Sequence, residues 1–154
     1  MPNFNQSTRD VITSVALGLR VDRATATLPQ TTAAAIFNVL GGTVAMTGIL
    51  GEVTTILGAV GNMSIEANPT TGTTAALCAV TAAGTFEAGT LLSIDGTKAT
   101  GLIGVNAGGS AMQSKPVALP VGTLDLRLSA SSTGSVKWSI WYLPLEDGAY
   151  VTSA

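Results

Sequence analysis

Apolar and polar residues alternate through the C-terminal third of the chain. Leu124, Leu126 and Leu128 are interleaved with Asp125, Arg127 and Ser129. A period of two puts one set of side chains on a buried face and the other on an open one, as in a strand lying on a core. After a Ser/Thr/Gly turn, Val136, Trp138, Ile140 and Tyr142 repeat the pattern. The spacing predicts two antiparallel strands, the second carrying both tryptophans. Trp138 and Tyr142 share the core parity. Trp141 has the opposite parity and is the expected interface residue.

Upstream, short strand-like runs alternate with turns, the layout of a sandwich or barrel. Residues 34–40 form the first run, closed by Gly41 and Gly42. Residues 43–55 form a long one, with Gly48 and Gly51 inside it, where a bulge or bend is expected. Residues 62–67 alternate Met63, Ile65 and Ala67 and end in the turn Asn68-Pro69-Thr70-Thr71-Gly72. Further strands are expected over 73–80, 90–94 and 99–105. Another is expected over 115–119, which its flanking prolines assign to an edge. The expected fold is all-β, a jelly-roll-like sandwich of about eight strands in two sheets.

Residues 1–30 read differently. They carry the densest charge (Arg9, Asp10, Arg20, Asp22 and Arg23), two prolines and no sustained alternation. The expected organisation is an extended arm over 1–30 and a sandwich domain over 31–154. Val11, Ile12, Val15, Leu17 and Leu19 would be exposed on a free arm, so with Arg20 they are the arm's expected contact residues. The arm is expected to serve partner binding and to be dispensable for folding.

Composition narrows the function. Hydrophobic residues make up 46% of the chain, enough for a core, and charged residues only 10%. A surface built from Thr, Ser, Asn, Gly and Ala favours contact with other protein, so a subunit of an assembly is expected. The net charge of −2 and the lack of a basic block give nucleic acid no electrostatic footprint. Residues 11–19 are too short an apolar run to cross a bilayer. The opening residues lack the basic stretch of a secretory leader, so the expected site of synthesis and assembly is a cytosol.

Reactive constellations are not found. The chain has no histidine, the commonest general base and metal ligand. Cys78, the single cysteine, sits in apolar sequence and reads as a small buried hydrophobe. Gly96-Thr97-Lys98 lacks the loop of a phosphate-binding motif, and Gly101 and Gly104 read as turn or packing glycines. Glu146 and Asp147 form the only adjacent acidic pair, between Pro144 and Gly148, and read as a solvated turn. Glu52, Glu66, Glu87, Asp95 and Asp125 are spread singly, without the spacing of a calcium loop. No enzymatic activity, cofactor or metal is expected.

The stretches 117–128 and 132–149, with Gly48-Ile49-Leu50-Gly51-Glu52-Val53 and the turn at 68–73, resemble the small head decoration (cement) proteins of tailed bacteriophages. The resemblance covers roughly residues 36–148 and leaves the arm outside. It implies a β-rich virion protein on the outer surface of the head, made in the host cytoplasm. The implied partners are the major capsid protein and further copies of the chain, as a homotrimer. Some such proteins grip neighbours with an extended terminal arm, which would give residues 1–30 a role. The alternative is a tail, fibre-base or receptor-binding component of the virion.

Overall fold

A computed structural model of the chain describes residues 16–30, 32–58, 61–84, 86–106 and 109–154. Their elements are twelve strands: β1 (Leu19–Thr27), β2 (Ala33–Leu40), β3 (Val44–Thr55), β4 (Asn62–Pro69), β5 (Ala75–Ala76), β6 (Thr81–Ala82), β7 (Leu91–Ser93), β8 (Ile103–Val105), β9 (Val117–Leu119), β10 (Gly122–Leu128), β11 (Ser135–Pro144) and β12 (Tyr150–Ser153). They build two antiparallel six-stranded sheets. The first runs β1-β11-β3-β7-β8, with β9 also on β3; the second runs β12-β2-β10-β4-β5, with β6 also on β4. The strands pair in nested fashion: β1 with β11, β2 with β10, β3 with β7 and β4 with β5. The β11–β3 and β10–β4 ladders join these pairs into the two sheets.

The alternation read from the sequence lines the space between the sheets. Leu124, Leu126 and Leu128 of β10 meet Val136, Trp138, Ile140 and Tyr142 of β11, and all are buried. Met46, Ile49 and Val53 of β3, Met63 and Ile65 of β4 and Phe37 of β2 complete the centre. The two glycines of the long strand have a clear purpose. Gly48 pairs with Trp141 and Gly51 with Trp138, so each tryptophan lies opposite a residue without a side chain. A Cβ at Gly51 would fall 2.7 Å from the Trp138 ring. A bulge does occur in this ladder, between Trp141 and Tyr142.

The expected arm needs correction. Leu19–Thr27 is not an arm but strand β1, registered on β11 from Leu19↔Tyr142 to Thr27↔Ser135. Leu28 follows it into the core at 4% exposure. The sandwich thus begins at Leu19, before the expected boundary at residue 31. Val11, Ile12 and Val15 lie outside the described residues. The expected strand over 73–80 shrinks to Ala75–Ala76 and a single bridge from Ala79 to Gly101. β12 and β6 were not expected.

Candidate interaction surface

The first sheet's outward face brings together two of the sequence-predicted residues. The β1–β11 register sets Arg20 opposite Trp141, and the guanidinium lies 5.3 Å from the indole centroid, within cation–π range. Arg20 also bonds Asp22 through Nε at 2.8 Å. Ser139 donates its hydroxyl to the same Asp22 oxygen at 2.6 Å. One strand further, Lys137 pairs with Glu52 at 2.9 Å. Residues beyond β8 cross the far half of this face: Ser93 donates to the Ala111 carbonyl, and the Gln113 amide to the Met46 carbonyl. A Cβ at Gly48 would lie 3.5 Å from Met112 and 3.7 Å from the Trp141 ring.

Trp141 therefore points outward, as its parity predicts, but is not an open interface residue. It is 8% exposed, with Arg20 over its ring and Met112 beside it. Leu17 is half-buried and its carbonyl accepts a hydrogen bond from the Thr47 hydroxyl. Leu19 stays exposed.

Sequence reasoning missed the companions of Leu19. At one end of the sandwich, Leu19, Leu143, Leu145 and Tyr150 are each between 44% and 57% exposed. Leu19 pairs with Tyr142, next to Leu143. Leu145 donates its amide to the Thr43 carbonyl, and Tyr150 pairs with Leu40. These positions all flank the β2–β3 and β11–β12 connections, beside the point where the chain enters β1. The available signal was Leu143-Pro144-Leu145, an apolar run that breaks the alternation of β11. Glu146 and Asp147 follow in the turn, both exposed.

On the second sheet's outward face, β10 and β4 place Asp125 opposite Glu66, two carboxylates that are isolated in sequence. Both are buried. Asn68 donates to one Asp125 oxygen at 3.3 Å, and the other has no hydrogen-bond partner among the described residues. Arg127 reaches Glu66 only at 3.5 Å. Among the described residues no group of three acidic, histidine or cysteine side chains could hold a metal ion. Adding EDTA is accordingly expected to leave the melting temperature unchanged; a fall of several degrees would contradict this. Cys78 is buried, and burial pushes its thiol up despite the Ile65 amide on its sulfur. It has no reactive setting.

Two carboxyls make the stability pH-dependent. Burial raises the Asp22 carboxyl, but the Ser139 and Arg20 hydrogen bonds and the Arg20 charge outweigh it, leaving it below its ordinary 3.8. The Ser114 and Thr97 hydrogen bonds, helped by Lys115, likewise hold Asp95 below 3.8 against slight desolvation. Both groups bind protons less readily folded than unfolded. Their contribution is present above the unfolded value and lost as pH falls through the folded one. Melting temperature is expected to hold near neutrality and fall below about pH 4. The Asp22→Asn and Asp95→Asn variants should each show a shallower fall; slopes identical to the parent's would contradict the assignment.

Among the described residues, no helix is long and apolar enough to cross a membrane. Comparison with protein-family models, curated proteins and solved structures finds no match to this chain.

Proposed function

We propose that the chain is a structural virion protein that decorates a tailed-bacteriophage head, bridging neighbouring major capsid subunits on the outer surface. The observation that carries this reading is the apolar end formed by Leu19, Leu143, Leu145 and Tyr150. In a chain with only 10% charged residues, four large apolar side chains at one end favour docking on another protein. The resemblance of 117–128 and 132–149 to head decoration proteins supports the same assignment.

The strand order supports a jelly roll. Four nested pairs, β1–β11, β2–β10, β3–β7 and β4–β5, make one long antiparallel ribbon. Rolling that ribbon on itself creates the β11–β3 and β10–β4 ladders and sends the successive strands β1 to β4 to alternate sheets, with the β4–β5 hairpin closing the ribbon. In this reading β8, β9, β6 and β12 are additions to an eight-stranded frame.

The mechanism is mechanical. Each copy buries its apolar end across a joint between capsid subunits and stabilises the assembled shell by binding it in preference to the dissociated subunits. Many copies of modest affinity add by multivalency, and association as a homotrimer multiplies the grip of each unit. The reaction is assembly, with no catalytic step. Heads stripped of the chain and titrated with it should take it up to saturation and survive heating better as occupancy rises. The double variant Leu143→Ser, Leu145→Ser should fold and fail to saturate heads. Equal uptake by parent and variant would overturn the role of the apolar end.

A further inference from the structure

The chain enters β1 pressed against the apolar end. Ala16 and Leu17 have helical conformation, and Gly18 ends it at φ +93°, the left-handed conformation of a helix C-cap. Gly18 is buried, and a Cβ there would fall 2.2 Å from the Tyr142 carbonyl oxygen and 3.1 Å from a Leu143 methyl. Only glycine fits so close to the backbone of β11. The Leu17 carbonyl accepts the Thr47 hydroxyl, which places Leu17 over β3, two strands from β1 in the sheet. The chain thus approaches β1 by crossing β11 from the β3 side, beside Leu143. Leu143 and Leu145 flank Pro144 there, 44% and 57% exposed.

The sequence leading into this turn has an apolar side of its own. At about 100° per residue, Val11, Ile12, Val15 and Ala16 fall on one side of a helix, and Arg9, Asp10, Thr13 and Ser14 on the other. Ser7 and Asp10 have the spacing of a capping box ahead of the apolar run. A helical stretch over residues 8–17 would be about 15 Å long. Leu143 and Leu145, two residues apart in extended chain, span only about 7 Å. The segment can therefore cover both while Gly18 holds its end against β11.

We propose that residues 8–17 fold as an amphipathic helix whose Val11, Ile12 and Val15 cover Leu143 and Leu145 in the free chain. Each apolar set would otherwise face water, and burying one on the other removes both. The tether through Gly18 makes the contact intramolecular, at an effective concentration in the millimolar range, so it needs less buried area than a separate partner would. A second copy's segment has to compete with that tether. A regulatory consequence rests on the capsid reading. A shell that docks on Leu143 and Leu145 must displace the segment, and its apparent affinity falls by the fraction of time the end is uncovered. The cover then keeps free copies from sticking to one another before a shell is present.

The test uses the full-length protein with labelled methyl groups. Nuclear Overhauser contacts are expected from the Ile12 and Val15 methyls to those of Leu143 and Leu145, unchanged on dilution. The double variant Ile12→Ser, Val15→Ser should erase them, shift the Leu143 and Leu145 resonances and raise the fluorescence of an apolar dye severalfold. It should still melt cooperatively, because β1 is intact. Ser14→Ala, on the polar side, should change none of these. If the end is uncovered about one-tenth of the time, the double variant should half-saturate heads at about a tenth of the parent's concentration. Missing contacts in the parent, or dye binding equal in parent and double variant, would overturn the proposal. So would contacts that fade on dilution, the mark of a second copy's segment. Equal half-saturation of heads would overturn the regulatory consequence. Heads that take up neither protein while the contacts and dye response are present would remove the decoration reading and leave the cover in place.

Discussion

Replacing Trp138 by alanine is expected to destabilise the fold by about 3–5 kcal/mol, the usual cost of truncating a buried tryptophan. Trp138 is 2% exposed and sits in the middle of β11, which is paired on both sides. Its ring occupies the space over Gly51, where a Cβ would lie within 2.7–2.9 Å of three ring carbons. It also walls a cleft of about 90 Å³ with Ile36, Leu126 and Val136. Truncation would open that cleft into the void left by the indole, so relaxation of the neighbours recovers little. Because a domain of this kind has only about 5–15 kcal/mol of stability, the variant should unfold at far lower denaturant than the parent. Gly51→Val should destabilise through the same contact from the other side, by collision with the ring. Denaturant midpoints like the parent's in both variants would show that the β11–β3 packing is misassigned.

Deleting residues 1–27 is expected to abolish cooperative folding, the reverse of what a dispensable arm would give. The deletion removes all of β1 and with it the ladder on one side of β11. Val21, packed against the core, is lost, and Arg20 no longer covers the Trp141 ring. The strand carrying both tryptophans becomes a raw edge, open to pairing with other copies. The combined loss is on the order of the whole stability of the domain, about 5–15 kcal/mol. Deleting residues 1–15 instead keeps every residue of β1. Circular dichroism and thermal melting of the two truncations separate the cases. A soluble product of the longer deletion that melts cooperatively near the parent's temperature would contradict the place of β1 in the sheet.

The central strands were legible because they are buried on one face and long. β10 and β11 each keep strict alternation past three core residues, and their parity correctly sent Trp138 inward and Trp141 outward. β1 was not legible because its inward set, Leu19, Val21 and Arg23, ends on a charge. The bulge after Arg23 then shifts the parity of Ala24 and Ala26. An edge strand can cover a core with the stem of an arginine, and such a residue reads as surface. The fate of Trp141 was hidden for the same reason, since its cover comes from β1. The run 73–80 lies between turns, as a strand would, but carries no alternation to support one. Leu77 and Cys78 alone are buried in it, and β6 takes the neighbouring stretch of β4 at Asn62 and Met63. Glu66 and Asp125 are joined only by the β4–β10 register, which no local pattern encodes. The apolar end was the most accessible omission, since Leu143-Pro144-Leu145 stands in plain sequence.

Locating the chain within purified virions tests the decoration reading most directly. Virions would be disrupted, tails separated from heads, and the chain quantified in each fraction by mass spectrometry. The expected result is a chain that stays with the heads at many copies per particle, is released by conditions that leave the shell closed, and rebinds on add-back. A chain found with isolated tails or fibres, or absent from virions altogether, would contradict the reading.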